Sequence, residues 1–324
     1  KNHELNRSLT RGLARLIEVK YREKFQAQSE DFVRQGFYGS YRMKEGQRIV
    51  KLKGNPYQIG WQHGNFLPQE TRRVIDSTLY LVGLAYSIKK SQWFFDEIRS
   101  AQKRLDKFTP PEFLEEMRGV AKGANVAYSD VHMANYFPAL FHCSGFTLKD
   151  DATADRKLYH GRILDYMCGV GLQYNAAVFA VEKEGKIPFI NVSFGGFIGS
   201  VTGMNQQQIS LGEMGGKGVG DWDGVSMPIL MRMALENAQT LSQTKAIFRN
   251  NPRTCEYYYV FADGKTKDSV AVYATPDEIH FVEPGEKHPQ LRHSVPQCLL
   301  ISGGKRYEAL VGKTKANLGK FDEQ

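Results

Sequence analysis

Among the side chains able to do chemistry, the four cysteines Cys143, Cys168, Cys255 and Cys298 come first. No two stand in CxxC spacing, and neither HExxH nor a closely spaced histidine pair occurs, so no metal site and no cofactor is expected. A lone cysteine in a globular protein is usually a small buried hydrophobe, and Cys168, Cys255 and Cys298 are read that way. Cys143 differs in its neighbourhood. It sits in LFHCSGF, and HGRILDY lies downstream, carrying Arg162 and, three residues on, Asp165. Two strands joined by a turn would bring that segment back beside the cysteine. A cysteine nucleophile needs a cation to lower its thiol pKa from about 8.5, and Arg162 can supply it. It also needs a base, and a free α-amine with a pKa of about 7.7–8.0 is suited to take the thiol proton. Asp165 can orient an amine or the thiol, although on spacing alone an Arg and an Asp three apart usually form a solvated pair.

The elements that must hold these residues can be read from periodicity. Residues 1 to about 35 predict an amphipathic helix, with Leu5, Leu9, Leu13, Leu16 and Ile17 at three- and four-residue steps. A short strand, RIVKLKG (48–54), is followed by GNPYQIGWQHG (54–64), read as a turn because of its glycines and proline. From Gln69 to about Asn125 the pattern is helical, broken near Lys90 and at Pro110-Pro111, and another short helix starts at Ser129 or Asp130. From Cys143 the texture changes. FTLKDDATADRKLYHGRIL reads as two strands around a polar turn, and AAVFAVEKEG, IPFINVSF, QISLGEM, EYYYVFAD, SVAVYA and EIHFV read as further strands. Helices are expected at MPILMRMALENA and near Arg306–Asn317. The predicted class is α+β with layered packing: residues 1–142 mainly helical, 143–324 rich in sheet, the two forming one domain.

Composition excludes several classes of function. The 324 residues carry 43 Lys plus Arg against 35 Asp plus Glu, a formal charge of +8, with 41% hydrophobic and 24% charged residues, which is globular usage. No Lys/Arg block or aromatic-basic signature marks a nucleic-acid partner, and no apolar run is long enough to span a bilayer. The start at Lys1, without Met, fits either an exported protein that has lost its leader or a shortened chain, so localisation stays open beyond a soluble protein. GGKGVGDWDG (215–224) fits neither GxGxxG nor a P-loop and reads as a loop over a cleft. His63 is expected to bond backbone, and Tyr257, Tyr258 and Tyr259 to pack.

Residues 143–166, CSGFTLKDDATADRKLYHGRILDY, resemble the start of the mature chain of cysteine-type N-terminal nucleophile (Ntn) hydrolases. GNPYQIGWQHG (54–64), EMRGVAKGANVAYSDV (116–131) with Asn135, and GMNQQQISLGE (203–213) resemble the acyl-coenzyme A:6-aminopenicillanic acid acyltransferase family within that group. Acid ceramidase and choloylglycine hydrolase are more distant likenesses. The resemblance implies a four-layer αββα sandwich and a zymogen that cuts its own His142–Cys143 bond into segments of 142 and 182 residues. It implies that Cys143 supplies both thiol and, through its freed amine, proton acceptor. Arg162 and Asp165 match the family's paired Arg and Asp. Asn205 falls in the GMN motif, and Glu213 stands where bile-salt hydrolases carry an oxyanion asparagine and ceramidase-like members a glutamate. A carboxylate there would contribute only when protonated or by orienting another group. Where the superfamily commonly carries a late-strand asparagine this chain reads LLISGGKRY (299–307), so Ser302 or a backbone amide would replace it.

The activity implied is hydrolysis or transfer of an acyl group from a linear amide through a Cys143 acyl-thioester. The expected partner is a small-molecule amide with a hydrophobic acyl part; Phe146, Tyr166, Met167, Phe197 and Trp222 are expected to line its cleft. A homo-oligomer is compatible with the sequence. Two readings compete: a catalytically impaired Ntn-fold protein that binds a ligand, and a cysteine peptidase of another type.

Overall fold

Residues 1–138 with 167–200 form one unit and residues 139–166 with 201–324 a second, in a computed structural model that describes residues 2–21, 32–36, 38–136, 143–216, 221–289 and 291–323. In the first unit α1 (Asn2–Arg7) runs through a π-helical turn, Ser8–Gly12, into α2 (Leu13–Tyr21). The helix expected up to residue 35 thus gives way to a strand, β1 (Phe32–Gln35), with 22–31 outside the described residues. β1 pairs antiparallel with β2 (Ser40–Lys44), and β2 with β3 (Gln47–Gly54). Glu45 and Gly46, both at positive φ, close the second hairpin in two residues.

The segment read as a turn at 54–64 is instead a helix, α3 (Pro56–Phe66). Asn55 and Gln58 form a reciprocal capping box and Pro56 occupies the first turn, where its missing N–H costs nothing. The glycines serve packing rather than bending. A Cβ on Gly60 would meet the Glu116 carbonyl oxygen at 2.0 Å, and one on Gly123 the Trp61 carbonyl oxygen at 2.1 Å, so bare backbones let α3 and α7 touch.

Helices α4 (Pro68–Ile75), α5 (Gly83–Lys90), α6 (Phe94–Leu105), α7 (Pro111–Ala124) and α8 (Tyr128–Asn135) follow, with breaks near Lys90 and Pro110 as expected. The chain then makes β4 (Ser144–Leu148) and β5 (Tyr159–Ile163) in the second unit. It returns to the first with β6 (Ala176–Lys183), parallel to β3, and β7 (Phe189–Phe194), antiparallel to β6. Cys168, expected to be buried, is exposed, because it opens a short turn flanked by left-handed Met167 and Gly171.

The second unit continues with β8 (Thr202–Asn205), β9 (Ile209–Gly215), α9 (Met227–Asn237), α10 (Leu241–Asn250), β10 (Tyr257–Asp263), β11 (Asp268–Ala274), β12 (Ile279–Val282), β13 (Cys298–Ile301) and α11 (Gly304–Ala316). Strands β8 to β12 pair antiparallel in sequence order, while β4 lies between β13 and β5 in a three-stranded sheet. Side chains alternate across a strand, and that alternation sorts the layers. Tyr259 and Phe261 of β10 meet Phe248 of α10, with ring centroids 4.9 and 4.6 Å apart. On the opposite face the three-stranded sheet is fastened by Thr147 and Ser269, whose hydroxyl oxygens are 2.8 Å apart. Leu148 and Leu300 point outward from that sheet into a cluster with Tyr307 and Val311 of α11. The order helix, sheet, sheet, helix is the αββα layering, in an α+β chain.

Candidate active site

Cys143 directly precedes β4, and the β4–β5 register sets Gly145 opposite Arg162. Residues 143 and 145 share a face by the two-residue period, so Cys143 and Arg162 project together toward β9. The guanidinium then meets four acceptors. Nε donates to the Glu213 carbonyl oxygen at 2.9 Å and Nη1 to Thr202 Oγ1 at 3.0 Å. Nη2 donates to Cys143 Sγ at 3.3 Å and to Glu213 Oε2 at 3.2 Å. Both side chains of the ion pair are buried, 3% and 1% exposed. Arg162 reaches Glu213 across Gly212, where a Cβ would meet the Arg162 Cγ at 3.0 Å. A glycine inside a strand marks such a close approach, and it is the sequence signal that could have exposed this contact.

Burial governs the electrostatics. It pushes the Cys143 thiol up to about 11, against the pull of the Arg162 charge and with a further push from Glu213. Burial also pushes Glu213 up to about 7, again opposed by Arg162. Glu213 Oε1 is buried without a hydrogen-bond partner among the described residues. His160, two residues before Arg162, is pushed down to about 4 by burial and the Arg162 charge; its Nδ1 lies 2.7 Å from Ser210 Oγ. A neutral imidazole there adds no positive charge beside the guanidinium.

Cys143 lines a cavity of about 750 Å³ together with Met214, Tyr258, Leu291, Ile301, Ser302 and Arg306. Ser302 directly follows β13, and its Oγ is 2.7 Å from Ser144 Oγ. Arg306, which sequence reasoning missed, is ion-paired with Asp165 in the loop after β5. Asp165 is about half exposed and is held there rather than against Cys143. Asn205 is not brought to the cysteine either. Its Nδ2 donates to the Leu235 and Ala238 carbonyls at 3.0 and 2.7 Å, and its Oδ1 accepts from the Gln207 and Ile209 amides, so it ties the β8–β9 turn to α9.

The expected aromatic cleft is also revised. Phe146 sits one residue out of phase with Gly145 and packs on the outer cluster with α11, and Met167 and Phe197 belong to the other unit. Neither Tyr166 nor Trp222 lines the cavity. His63 lies on α3, where its Nε2 accepts the Gly196 amide at 2.8 Å, the backbone bond expected of it. His142 and residues 217–220 of the glycine-rich loop lie outside the described residues. Among the described residues no group of three or more His, Cys, Asp or Glu is placed to hold a metal ion, and no helix is long and apolar enough to cross a membrane.

No family model matches the chain. It is similar to an uncharacterized protein of Archaeoglobus fulgidus, 25% identical over 256 residues, covering 69% of this chain and 42% of that protein. It is 24% identical over 192 residues to the N-acylethanolamine-hydrolyzing acid amidase of Rattus norvegicus, covering 56% of this chain and 52% of that one. Among solved structures, the Caenorhabditis elegans ortholog of that amidase aligns with a TM-score of 0.41 and 17% identity, over 56% of this chain and 82% of that chain. The chain spans about half the length of the curated relatives it matches. It resembles the cysteine-type Ntn hydrolases, the likeness that its own Cys143 segment carries.

Proposed function

We propose that the chain is a cysteine Ntn amidohydrolase acting on N-acyl amides. The observation that carries this reading is the Arg162 Nη2, set 3.2 Å from Glu213 Oε2 and 3.3 Å from the Sγ of Cys143, the residue that lines the cavity. Cleavage before Cys143 would free its α-amine. A thiol pushed up to about 11 is almost wholly protonated at neutral pH, so a local base is required, and that amine is one bond path away. The amine takes the thiol proton and sulfur adds to the amide carbonyl. The C–N bond then breaks as the leaving amine takes a proton, leaving an acyl-thioester on Cys143. Water resolves the thioester to a carboxylic acid and the thiol; an acceptor amine would make the same step a transfer. Arg162 stabilises the thiolate. Glu213, with a carboxyl near 7, is protonated on the acid side of neutrality and can then donate from Oε1 toward a developing oxyanion.

The relatives' printed names point to N-acylethanolamines, hence a hydrophobic acyl chain and a small polar amine. Met214, Leu291 and Ile301 in the cavity wall suit the acyl part. A catalytically impaired binding protein is the second reading, favoured by Ser302 where an asparagine donor is expected. Denaturing mass spectrometry beside a panel of N-acyl amides separates the two. Wild type is expected as two segments parted before Cys143, with amine release that Cys143→Ala abolishes. A chain that stays whole overturns the self-processing step, and a cleaved chain with no turnover supports the binding protein.

A further inference from the structure

The helix from Asn2 to Tyr21 turns its arginines and carboxylates inward and its leucines outward. Arg7 Nη2 and Arg11 Nη1 donate to Asp130 Oδ2 at 3.3 and 3.0 Å, and Arg11 Nε also donates to Asp76 at 2.7 Å. Arg15, 2% exposed, donates to Ser77 Oγ at 2.8 Å and to Glu18 at 2.9 Å. The helix's carboxylates face the same way: Glu18 accepts from Arg73, and Glu4 from Trp93 and Arg99. Gly12 fixes this seating, because a Cβ there would meet the Tyr80 carbonyl oxygen at 2.7 Å.

What remains outward is an apolar stripe with Lys20 and the neutral polar Asn2, His3, Asn6 and Thr10. Leu5, Leu9, Leu13 and Leu16 are 40–45% exposed and Ile17 and Tyr21 55% and 68%, with Lys20 beside them and no exposed carboxylate on the helix. Helix α5, which packs beside the π-helical turn, ends in exposed Ile88, Lys89 and Lys90. Isolated exposed leucines need no explanation, but an apolar stripe running the length of a twenty-residue helix does.

We propose that this face docks on an anionic phospholipid surface, the leucine stripe entering the headgroup boundary while Lys20, Lys89 and Lys90 meet lipid phosphates and carboxylates. Charge complementarity selects this occupant. A second copy would bring the same lysines face to face with no carboxylate to meet them, whereas an anionic bilayer attracts each cation by about 1 kcal/mol. A helix about 30 Å long, apolar on one side and pinned by ion pairs on the other, has the dimensions of an interfacial helix. The inference does not depend on the chemistry at Cys143.

Sedimentation of the full chain with vesicles tests it, using phosphatidylcholine alone and phosphatidylcholine mixed with phosphatidylserine. Wild type and Cys143→Ala are expected to co-sediment equally, and more strongly with the anionic vesicles. Leu9→Asp combined with Leu13→Asp should lower the partition by about tenfold or more. Lys20→Glu with Lys89→Glu and Lys90→Glu should remove the preference for phosphatidylserine and leave thermal unfolding unchanged, so the test stands even where the leucine variant folds poorly. Wild type that stays in the supernatant with both vesicles overturns the proposal. So does a solution dimer that Leu9→Asp dissociates in a chain that binds no vesicles, which would make the face a contact between copies.

Discussion

Asp130 in the first unit and Glu213 in the second are both buried carboxylates that meet arginine, and they are satisfied to different degrees. Asp130 accepts from the Tyr80 hydroxyl at 3.0 and 3.1 Å on its two oxygens, and Arg7 and Arg11 add two more bonds. Glu213 receives Arg162 on Oε2 alone and leaves Oε1 without a partner among the described residues. A filled network fixes a structure, while a half-filled one beside a reactive thiol keeps an acceptor, or when protonated a donor, in reserve. The difference separates a seat for a helix from a site for chemistry.

The strongest way to break that comparison is at Asp130. Asp130→Ala strands Tyr80, Arg7 and Arg11 and should cost roughly 3–5 kcal/mol of stability in urea unfolding. A near-neutral result would deny it the role of seat. Next in size is Arg162→Ala, which removes the cation opposing burial at Cys143. Its thiol should move further up, and alkylation by iodoacetamide near neutral pH should slow by about tenfold for each unit of that rise. An unchanged pH profile of alkylation would remove Arg162 from the chemistry. The smallest effect belongs to Glu213→Gln, which keeps shape and one acceptor for Arg162 while removing the charge, and is expected to change stability by only about 1 kcal/mol. Its signature is in pH. Because the folded Glu213 carboxyl is raised to about 7, its contribution is full below the usual carboxylate value of about 4.3 and is lost as pH rises through 7. Wild type should therefore lose stability across that window and the variant should lose less of it. A Glu213→Gln chain as unstable as Asp130→Ala would erase the distinction.

Most strands were legible because the alternation of AAVFAVEKEG and the continuous apolar run of EYYYVFAD need only local pattern. Where glycine carries a tertiary contact, local rules fail. Gly60 and Gly64 look like breakers, yet they stand in a helix whose value lies in an approach to α7 that single-strand reading cannot see. β8 (TGMN) and β2 (SYRMK) are too short to announce a period, and the buried residues of α10 are Thr244 and Phe248, too few to mark it in the sequence. At the site, Cys143 and Arg162 were legible as a pair because one hairpin register joins them. Arg306 was not, since it arrives from a helix more than 140 residues further on and meets Asp165 instead of leaving it to the cysteine. Asn205 misled for the opposite reason: its amide is used up locally by a turn and a helix end. The leucine periodicity at the N-terminus gave the helix over 2–21 but not the strand at Phe32–Gln35, and period alone does not say which face looks inward. Gly12 and three arginines decided that.

The pairing of β3 with β6 has a further consequence. β3 lies before Cys143 and β6 after it, and they run side by side from Ile49 with Val178 to Gly54 with Lys183. The first unit is therefore stitched from both sides of the nucleophile. A nick before Cys143 would make two polypeptides but not two bodies, since neither holds a complete copy of that unit's strands. The severed chain would behave as a split protein already reassembled, its pieces travelling together through native purification and parting only when the β3–β6 seam is unfolded.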